Sequence, residues 1–173
     1  MFGRNNDHEP VQTTTGSPEP RMKNMRTLAL AIIAASTIQA AQAQYTIVDG
    51  YVATCSGSIL DSGGEGAAGY GNDEYHTVII CPDGSGGPAI SLQWFTFNLS
   101  TEGAEPIDQL AIYDGMIDGV NPDPPLIGVY TGYTAPGIIS ASFENVQNTL
   151  NGGGCLTLVF TSNSTGTGVF GAL

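Results

Sequence analysis

Acidic side chains are the most numerous chemically active groups in this chain of 173 residues. Residues 44–173 carry 13 of the 16 acids, all except Asp7, Glu9 and Glu19, together with one histidine and no Lys or Arg. The formal charge of this segment is therefore −13. Binding a phosphate backbone or an anionic membrane surface requires several Lys or Arg side chains. The composition of this segment therefore excludes nucleic acids and anionic membrane surfaces as partners.

Catalysis finds little support among these residues. His76 is the one side chain of the segment that could act as a base at neutral pH, and no Lys or Arg is present to stabilise an oxyanion. Neither a GxSxG nor an HExxH pattern occurs. A glycosidase would need two carboxylates, but 13 acids in 130 residues place some in pairs by chance. We predict that the protein is not an enzyme.

Two acidic stretches have the density of a cation site without its spacing. Asp73 and Glu74 stand beside His76, and we interpret them as a surface turn that enters a strand. The other stretch does not match the Asp-x-Asp/Asn-x-Asp/Asn-Gly spacing of an EF-hand. We interpret it as a solvated loop; it comprises Asp114, Asp118, Asn121 and Asp123.

The three cysteines all follow residue 44, and one disulfide is expected if the protein is secreted. The predicted pair is Cys55 with Cys81, which flank a Gly-rich segment. Cys155 is then unpaired. An odd cysteine in a secreted chain is a free thiol, an intermolecular link or a sign that the sequence is incomplete. We favour incompleteness, because the chain stops within an apparent strand, and we expect a partner cysteine shortly after Leu173.

The N-terminal region has the features of a secretory signal peptide. Residues 21–43 combine a basic start, a short apolar run and the small-x-small sequence Ala-Gln-Ala, so we predict cleavage before Gln44. The apolar run is shorter than the roughly 18 residues of a membrane-spanning candidate. Residues 1–20 are a polar leader, and the true start is predicted at Met22 or Met25. The protein is therefore expected outside the cell, secreted or at the surface, without membrane insertion after cleavage.

Residues 44–173 show the periodicity of short strands and no convincing helical period. Ile90, Leu92 and Trp94 alternate with other residues and should share one buried face, which makes Trp94 a core residue. Gly, Pro, Asn and Asp separate the strands. The sequence predicts an all-β, antiparallel sandwich of two sheets formed by seven to ten strands. The clearest are 76–81, 89–97, 107–113, 126–130, 137–143, 155–161 and 167–172.

An ordered set of short motifs along residues 50–173 resembles a CUB domain. The motifs are Cys55-x-Gly57, Ile59-Leu60-Asp61-Ser62-Gly63-Gly64, Tyr70, Cys81-Pro82, Ile90-x-Leu92, Phe97-x-Leu99, Asp108-x-Leu110-x-Ile112-Tyr113-Asp114-Gly115, Leu126-Ile127-Gly128-x-Tyr130-Thr131-Gly132, Leu156-x-Leu158-x-Phe160-x-Ser162-Asn163 and Gly166-x-Gly168-x-Phe170-x-Ala172. The resemblance implies a jelly-roll-like sandwich that occurs as one module of secreted or surface proteins. It also implies binding of proteins, or sometimes glycans, without catalysis. Residues 44–173 are expected to form this domain, truncated at its C-terminal strand.

The resemblance further implies a Ca²⁺ site at one end of the sandwich. By position, Asp108 and Asn163 correspond to acidic ligands of the family and Tyr70 to a supporting residue, whereas Ser100 stands where the family has Glu. The nearby Glu102 and Glu105 could supply the missing carboxylate.

Period two also places Asp108 on the face of Leu110 and Ile112, so its carboxylate should point inward. A buried carboxylate needs a cation or N–H donors, and Ca²⁺ takes six to eight oxygen ligands. The alternative is that Asp108 accepts backbone N–H groups at a turn.

The leading hypothesis is an extracellular adhesion module that recognises a protein with a basic surface, with or without Ca²⁺. A carbohydrate-binding module is the alternative, with Tyr113, Tyr130, Tyr133 or Trp94 as sugar-stacking rings. A structural spacer domain is the third reading. A charge of one sign repels itself, so the domain needs a bound cation, a saline medium or a basic partner.

Overall fold

The computed structural model describes residues 42–48, 50–65, 69–120, 122–148 and 153–173. The predicted leader, and the predicted signal peptide up to residue 41, lie outside these ranges. Among the described residues, no helix has the length and apolar character that crossing a bilayer requires.

Ten strands and one short helix form the described part of the chain. All seven strands that were predicted most clearly are present, and three short strands precede them. In chain order the strands are β1 (Gln44–Thr46), β2 (Gly50–Ala53), β3 (Ser58–Leu60), β4 (Tyr75–Cys81), β5 (Ser91–Asn98), β6 (Gln109–Tyr113), β7 (Leu126–Tyr130), β8 (Ile138–Ser140), β9 (Leu156–Thr161) and β10 (Val169–Ala172). Helix α1 (Phe143–Gln147) lies between β8 and β9.

Helix α1 shortens the strand that was predicted over 137–143. Ser142 has an extended backbone, and its hydroxyl accepts the Asn145 N–H as an N-cap. Ser is a common N-cap residue, because its side-chain oxygen can accept a backbone N–H of the first helical turn. β8 therefore ends at Ser140, and five residues of helix follow.

The strands form the two-sheet β-sandwich that the sequence predicts. One sheet has the order β1-β3-β10-β5-β8 and the other β2-β4-β9-β6-β7. Most neighbouring strands are antiparallel, but β1 runs parallel to β3 and β2 runs parallel to β4. Both sheets are therefore mixed, each with one parallel pair of strands. The consecutive strands β1 and β2 belong to different sheets.

The core lies between the sheets and follows the period-two pattern. Its largest buried rings are Tyr70, Phe160 and Phe170, with centroids 4.7 Å apart for Tyr70–Phe160 and 5.0 Å apart for Phe160–Phe170. Trp94 packs against this core and contacts Phe97 edge to face at 5.5 Å. The prediction that Trp94 faces the core is confirmed, although its ring is only partly buried.

The predicted disulfide is wrong, because Cys81 is bonded to Cys155 and Cys55 is a free, exposed thiol. The register of β4 and β9 explains this pairing. Ile80 lies opposite Leu156, so the next residue of β4 and the preceding residue of the antiparallel β9 segment meet, with Cα atoms 4.2 Å apart. Since Cys155 has a partner, it no longer supports the expectation of a further cysteine after Leu173.

In the described part of the chain, the Asp and Glu side chains are confined to the segments outside the strands. None of the ten described strands contains Asp, Glu, Lys or Arg. The described carboxylates therefore lie in loops or in α1. The described strands therefore carry no carboxylate, and the negative charge is concentrated at the two ends of the sandwich.

Candidate functional site

The loops that follow β3, β5 and β9 meet at one end of the sandwich, which we call the loop end. These three strands run towards it, and β4, β6 and β10 leave from it. Backbone hydrogen bonds join the loops after β3 and β9 directly, from Tyr70 N to Gly168 O at 3.2 Å and from Asp73 N to Asn163 O at 2.9 Å. The loop end contains all the residues predicted to form the Ca²⁺ site.

Asp108 is the centre of this arrangement. It precedes β6, its side chain is fully buried, and the prediction that it points inward is confirmed. Its Oδ2 accepts the Tyr70 hydroxyl at 2.8 Å and its Oδ1 accepts the Asn163 backbone N–H at 2.8 Å. The Tyr70 oxygen in turn accepts the Ser100 N–H at 2.7 Å. Hydrogen-bond donors of the protein itself thus offset the cost of removing this carboxylate from water.

The hydroxyl of Tyr70 stays protonated in this position. Burial raises the pKa of Tyr70 well above its ordinary value, and the hydrogen bond to the Asp108 carboxylate raises it further. The ring packs edge to face against Phe160, so the core fixes its position. Tyr70 therefore contacts Asp108 by donating to its carboxylate, and its role as a supporting residue of a Ca²⁺ site stays a prediction.

The other predicted ligands do not all face Asp108. Ser100 is buried, and its hydroxyl accepts the Glu102 N–H at 3.1 Å. Glu102 and Glu105 are exposed, and Glu105 Oε2 accepts the Ile107 N–H at 3.3 Å. These two carboxylates are presented to solvent at the loop end.

The side chain of Asn163 uses both of its ends within the loops. Its Nδ2 donates to the carbonyl oxygens of Glu102, Ala104 and Pro106 at 2.9, 3.3 and 3.4 Å. Its Oδ1 accepts the N–H and the hydroxyl of Thr165 at 2.9 and 3.2 Å. The amide oxygen is therefore turned away from the loop carbonyls.

This arrangement does not fit a calcium ion. Ca²⁺ needs six to eight oxygens directed at one point, whereas three loop carbonyls here accept the Asn163 amide and both Asp108 oxygens accept protein donors. Within the described ranges, no group of three or more His, Cys, Asp or Glu side chains is placed to hold a metal. The contacts agree instead with the alternative reading, in which Asp108 accepts a backbone N–H at a turn.

Two further acids organise the same end, and neither was among the predicted ligands. The first, Asp61, is buried and accepts the N–H groups of Gly63 and Phe170. Burial raises the pKa of Asp61 above its ordinary value, although these N–H donors oppose the shift. The signal was available in the sequence, because Asp61 stands two residues after the buried Ile59 and so shares its face.

The second, Glu74, ties down the loop that follows β3. Its carboxylate accepts the Ser62 hydroxyl and the Gly71 N–H, and lies 3.4 Å from His76 Nε2. The interpretation of this stretch as a turn entering β4 agrees with these contacts. The Glu74 carboxylate therefore holds this loop in place through its hydrogen bonds.

The acidic loop after β6 lies at the opposite end of the sandwich. Asp114 Oδ1 accepts the Ser142 N–H and the Asn145 side-chain amide, both at 2.9 Å, so this carboxylate anchors the start of α1. Asp118 accepts the Val120 N–H, Asp123 is exposed, and Asn121 lies outside the described residues. Asp114 is thus a structural residue of this loop.

A cleft of about 320 Å³ opens at that opposite end, next to the free thiol of Cys55. Apolar side chains from both sheets line it, among them Val52, Ile59, Ile80 and Leu92. The thiol at its rim is exposed and therefore open to solvent reagents.

Comparison with known proteins gives a fold and no closer relationship. No family model matches the chain, and no curated protein matches it. Among solved structures, the chain is similar to the Ca²⁺-bound CUB2 domain of MASP-1, with a TM-score of 0.50 and 16% identity over 72% of this chain and 96% of that one. At this identity the likeness shows a CUB-like fold and nothing about ligands.

Two longer structures also match. They are the CUB1-EGF-CUB2 domains of human MASP-1/3 and of rat MASP-1, with TM-scores of 0.49 and identities of 16% and 14%. The matches cover 76% and 73% of this chain but 43% and 40% of those chains, so this chain spans less than half their length.

Proposed function

We propose that residues 44–173 form a non-enzymatic, extracellular binding module that recognises a basic protein surface through its loop end. The observation that carries the proposal is the placement of Glu102 and Glu105, which are exposed at the loop end without a basic residue in the segment to neutralise them. Carboxylates presented on fixed loops attract Lys and Arg side chains and suppress anionic partners.

The extracellular location is part of the proposal. The signal peptide predicted at residues 21–43 supports it, and so does the Cys81–Cys155 disulfide, since disulfides persist in oxidising compartments. The CUB-like fold supports the absence of catalysis, because it is used as a binding module in the family that the sequence resembles.

A Lys-rich peptide and a matched peptide with Gln at every Lys position test this function. We expect the Lys peptide to bind the whole chain at low salt, and Glu102→Gln/Glu105→Gln to weaken binding several-fold. The control is Asp123→Asn/Glu144→Gln, which removes the same charge from exposed positions at the other end. Equal weakening by both pairs would contradict a specific site, because it would reflect net charge alone.

Carbohydrate binding is a second candidate, favoured by the neutral outer face of the sheet β2-β4-β9-β6-β7. Tyr51 and Tyr75 on this face are 59% and 65% exposed, and Thr77 and Gln109 face the same side by register. Exposed aromatic rings on an uncharged surface can stack on sugars.

Of the rings that the sequence suggested, Tyr113 faces this side by register and is half-buried. Trp94 and Tyr130 are partly buried against the core, whereas Tyr133 lies in a loop with 76% of its surface exposed. Co-sedimentation with insoluble neutral polysaccharides tests the candidate. Tyr51→Ala/Tyr75→Ala should abolish binding, whereas Phe143→Ala, which removes an exposed ring from α1, should not. If neither ligand class binds, the spacer reading becomes the better one.

A further inference from the structure

Asn163 lies where the loop between β5 and β6 meets the loop between β9 and β10. Its backbone N–H donates to Asp108, its backbone carbonyl accepts the Asp73 N–H, and its side chain contacts the first of these loops. One residue therefore connects three segments of the loop end.

The side-chain amide presents its positive end to a ring of carbonyl oxygens. Nδ2 donates to Glu102 O at 2.9 Å, with Ala104 O at 3.3 Å and Pro106 O at 3.4 Å sharing its two hydrogens. Backbone carbonyls grouped in this way would also be suitable ligands for a hard cation. The N–H₂ group thus supplies the positive charge density that this group of oxygens requires.

The hydrogen-bond network fixes the orientation of the amide. Oδ1 accepts from Thr165 N and Thr165 Oγ1. A flipped amide would place its oxygen against the three carbonyls and its N–H₂ group against the Thr165 N–H. Both contacts would then be repulsive, so only the observed orientation satisfies both ends.

The surrounding chain leaves little space at this position. A Cβ at Gly103 would clash with Thr165 Oγ1 and lie 2.9 Å from Asn163 Nδ2. Gly103 has φ of +94°, a conformation that side chains rarely adopt. The loop between β5 and β6 therefore closes directly onto the Asn163 side chain.

We infer that the Asn163 amide holds the loop end together in the place where a CUB-like domain could use a metal ion, so that these loops assemble without Ca²⁺. The inference concerns how the loops are held. It does not depend on the proposed ligand, and the two can therefore fail separately.

The first test is a thermal melt of the whole chain in chelator, in ~2 mM Ca²⁺ and in ~2 mM Mg²⁺ at fixed ionic strength. These concentrations would saturate a strong site and measurably occupy the weaker sites typical of extracellular modules. We expect the wild-type Tm to be the same with Ca²⁺ as with Mg²⁺, to within about 1 °C. A rise specific to Ca²⁺ would overturn the inference, because a ligand that binds only the folded state stabilises it in proportion to its occupancy.

The second test is Asn163→Asp, which keeps the shape and replaces the N–H₂ group by a carboxylate oxygen facing three carbonyls. In chelator we expect Tm to fall by roughly 5 to 10 °C, and added Ca²⁺ to restore part of the loss. The matched control is Asn72→Asp, which adds the same charge at an exposed position and breaks one bond, from Nδ2 to Ser164 O. Equal losses in the two variants, or no recovery of Asn163→Asp with Ca²⁺, would overturn the inference. If Asn163→Asp does not fold, the wild-type melt still decides.

Discussion

The Cys81–Cys155 disulfide should dominate the stability of this domain. It closes a loop of 74 residues, which in the chain-entropy treatment corresponds to about 4.4 kcal/mol at 25 °C. The pair predicted from the sequence, Cys55 with Cys81, would close a much shorter loop and contribute about 3.5 kcal/mol. The two pairings therefore differ in the stabilisation that the disulfide provides and in which cysteine is free.

The fall in Tm expected when this disulfide is removed can be calculated from the size of the domain. An unfolding entropy near 2.1 cal/mol/K per residue over about 130 residues converts about 4.4 kcal/mol into roughly 16 °C. We expect Cys81→Ala/Cys155→Ala to melt about 16 °C below the wild type. Cys55→Ser should melt within about 2 °C of the wild type, because Cys55 is exposed and unbonded.

Thiol counting gives an independent measurement. The native, unreduced protein should react with one equivalent of a maleimide, and peptide mapping should find the label on Cys55. Denaturation without reductant should expose no further thiol. A native label on Cys155, a mapped Cys55–Cys81 bridge or a large loss of Tm in Cys55→Ser would refute the reasoning.

Three further perturbations test the described contacts. Tyr70→Phe removes the hydroxyl that joins Asp108 to the Ser100 N–H. We expect the free energy of unfolding measured in urea to fall by about 2 to 3 kcal/mol, and a fall below about 0.5 kcal/mol would contradict the role given to this hydroxyl. Gly69→Ala places a Cβ against Gly168 O at φ of +93°; soluble yield and Tm should both fall, and a wild-type Tm would contradict the packing. Because burial raises the pKa of Asp61 in the folded state, its contribution to stability is fully present below the unfolded pKa and is lost as pH rises through the folded one. Melts between about pH 7 and pH 4 should show Tm rising with acidification, less steeply in Asp61→Asn, and equal slopes in the two proteins would contradict this assignment.

Period-two patterning was sufficient to predict the sandwich and the orientation of its buried residues. Leu92 and Trp94 in β5 and Asp108 just before β6 face inward as expected, because side chains alternate between the two faces of an extended chain. A register shift opposite Gly171 and Ala172 interrupts this alternation in β5, where Phe97 is also buried. The pattern was weakest in β1, β2 and β3, which have three or four residues each. So few residues cannot establish a period.

The disulfide could not be predicted in the same way, because it depends on which strands become neighbours. Cys81 and Cys155 are far apart in sequence and meet only because β4 pairs with β9 in one particular register. The Asn163 contacts have the same origin. An Asn in a turn-rich stretch predicts a turn, but its three acceptors belong to another loop, which only the folded sandwich brings to it.

The confinement of charge to the loops explains how a segment with no Lys or Arg can fold at all. Repulsion between the two ends of the sandwich is screened over about 8 Å at physiological ionic strength, a distance shorter than the strands that separate the ends. At the loop end itself, Asp61, Glu74 and Asp108 each accept protein N–H or O–H donors, which offsets their mutual repulsion locally. Glu102 and Glu105 are exposed carboxylates of this end, and of these two only Glu105 accepts an N–H from the described part of the chain, that of Ile107, so a basic partner could reach both at little cost in internal contacts.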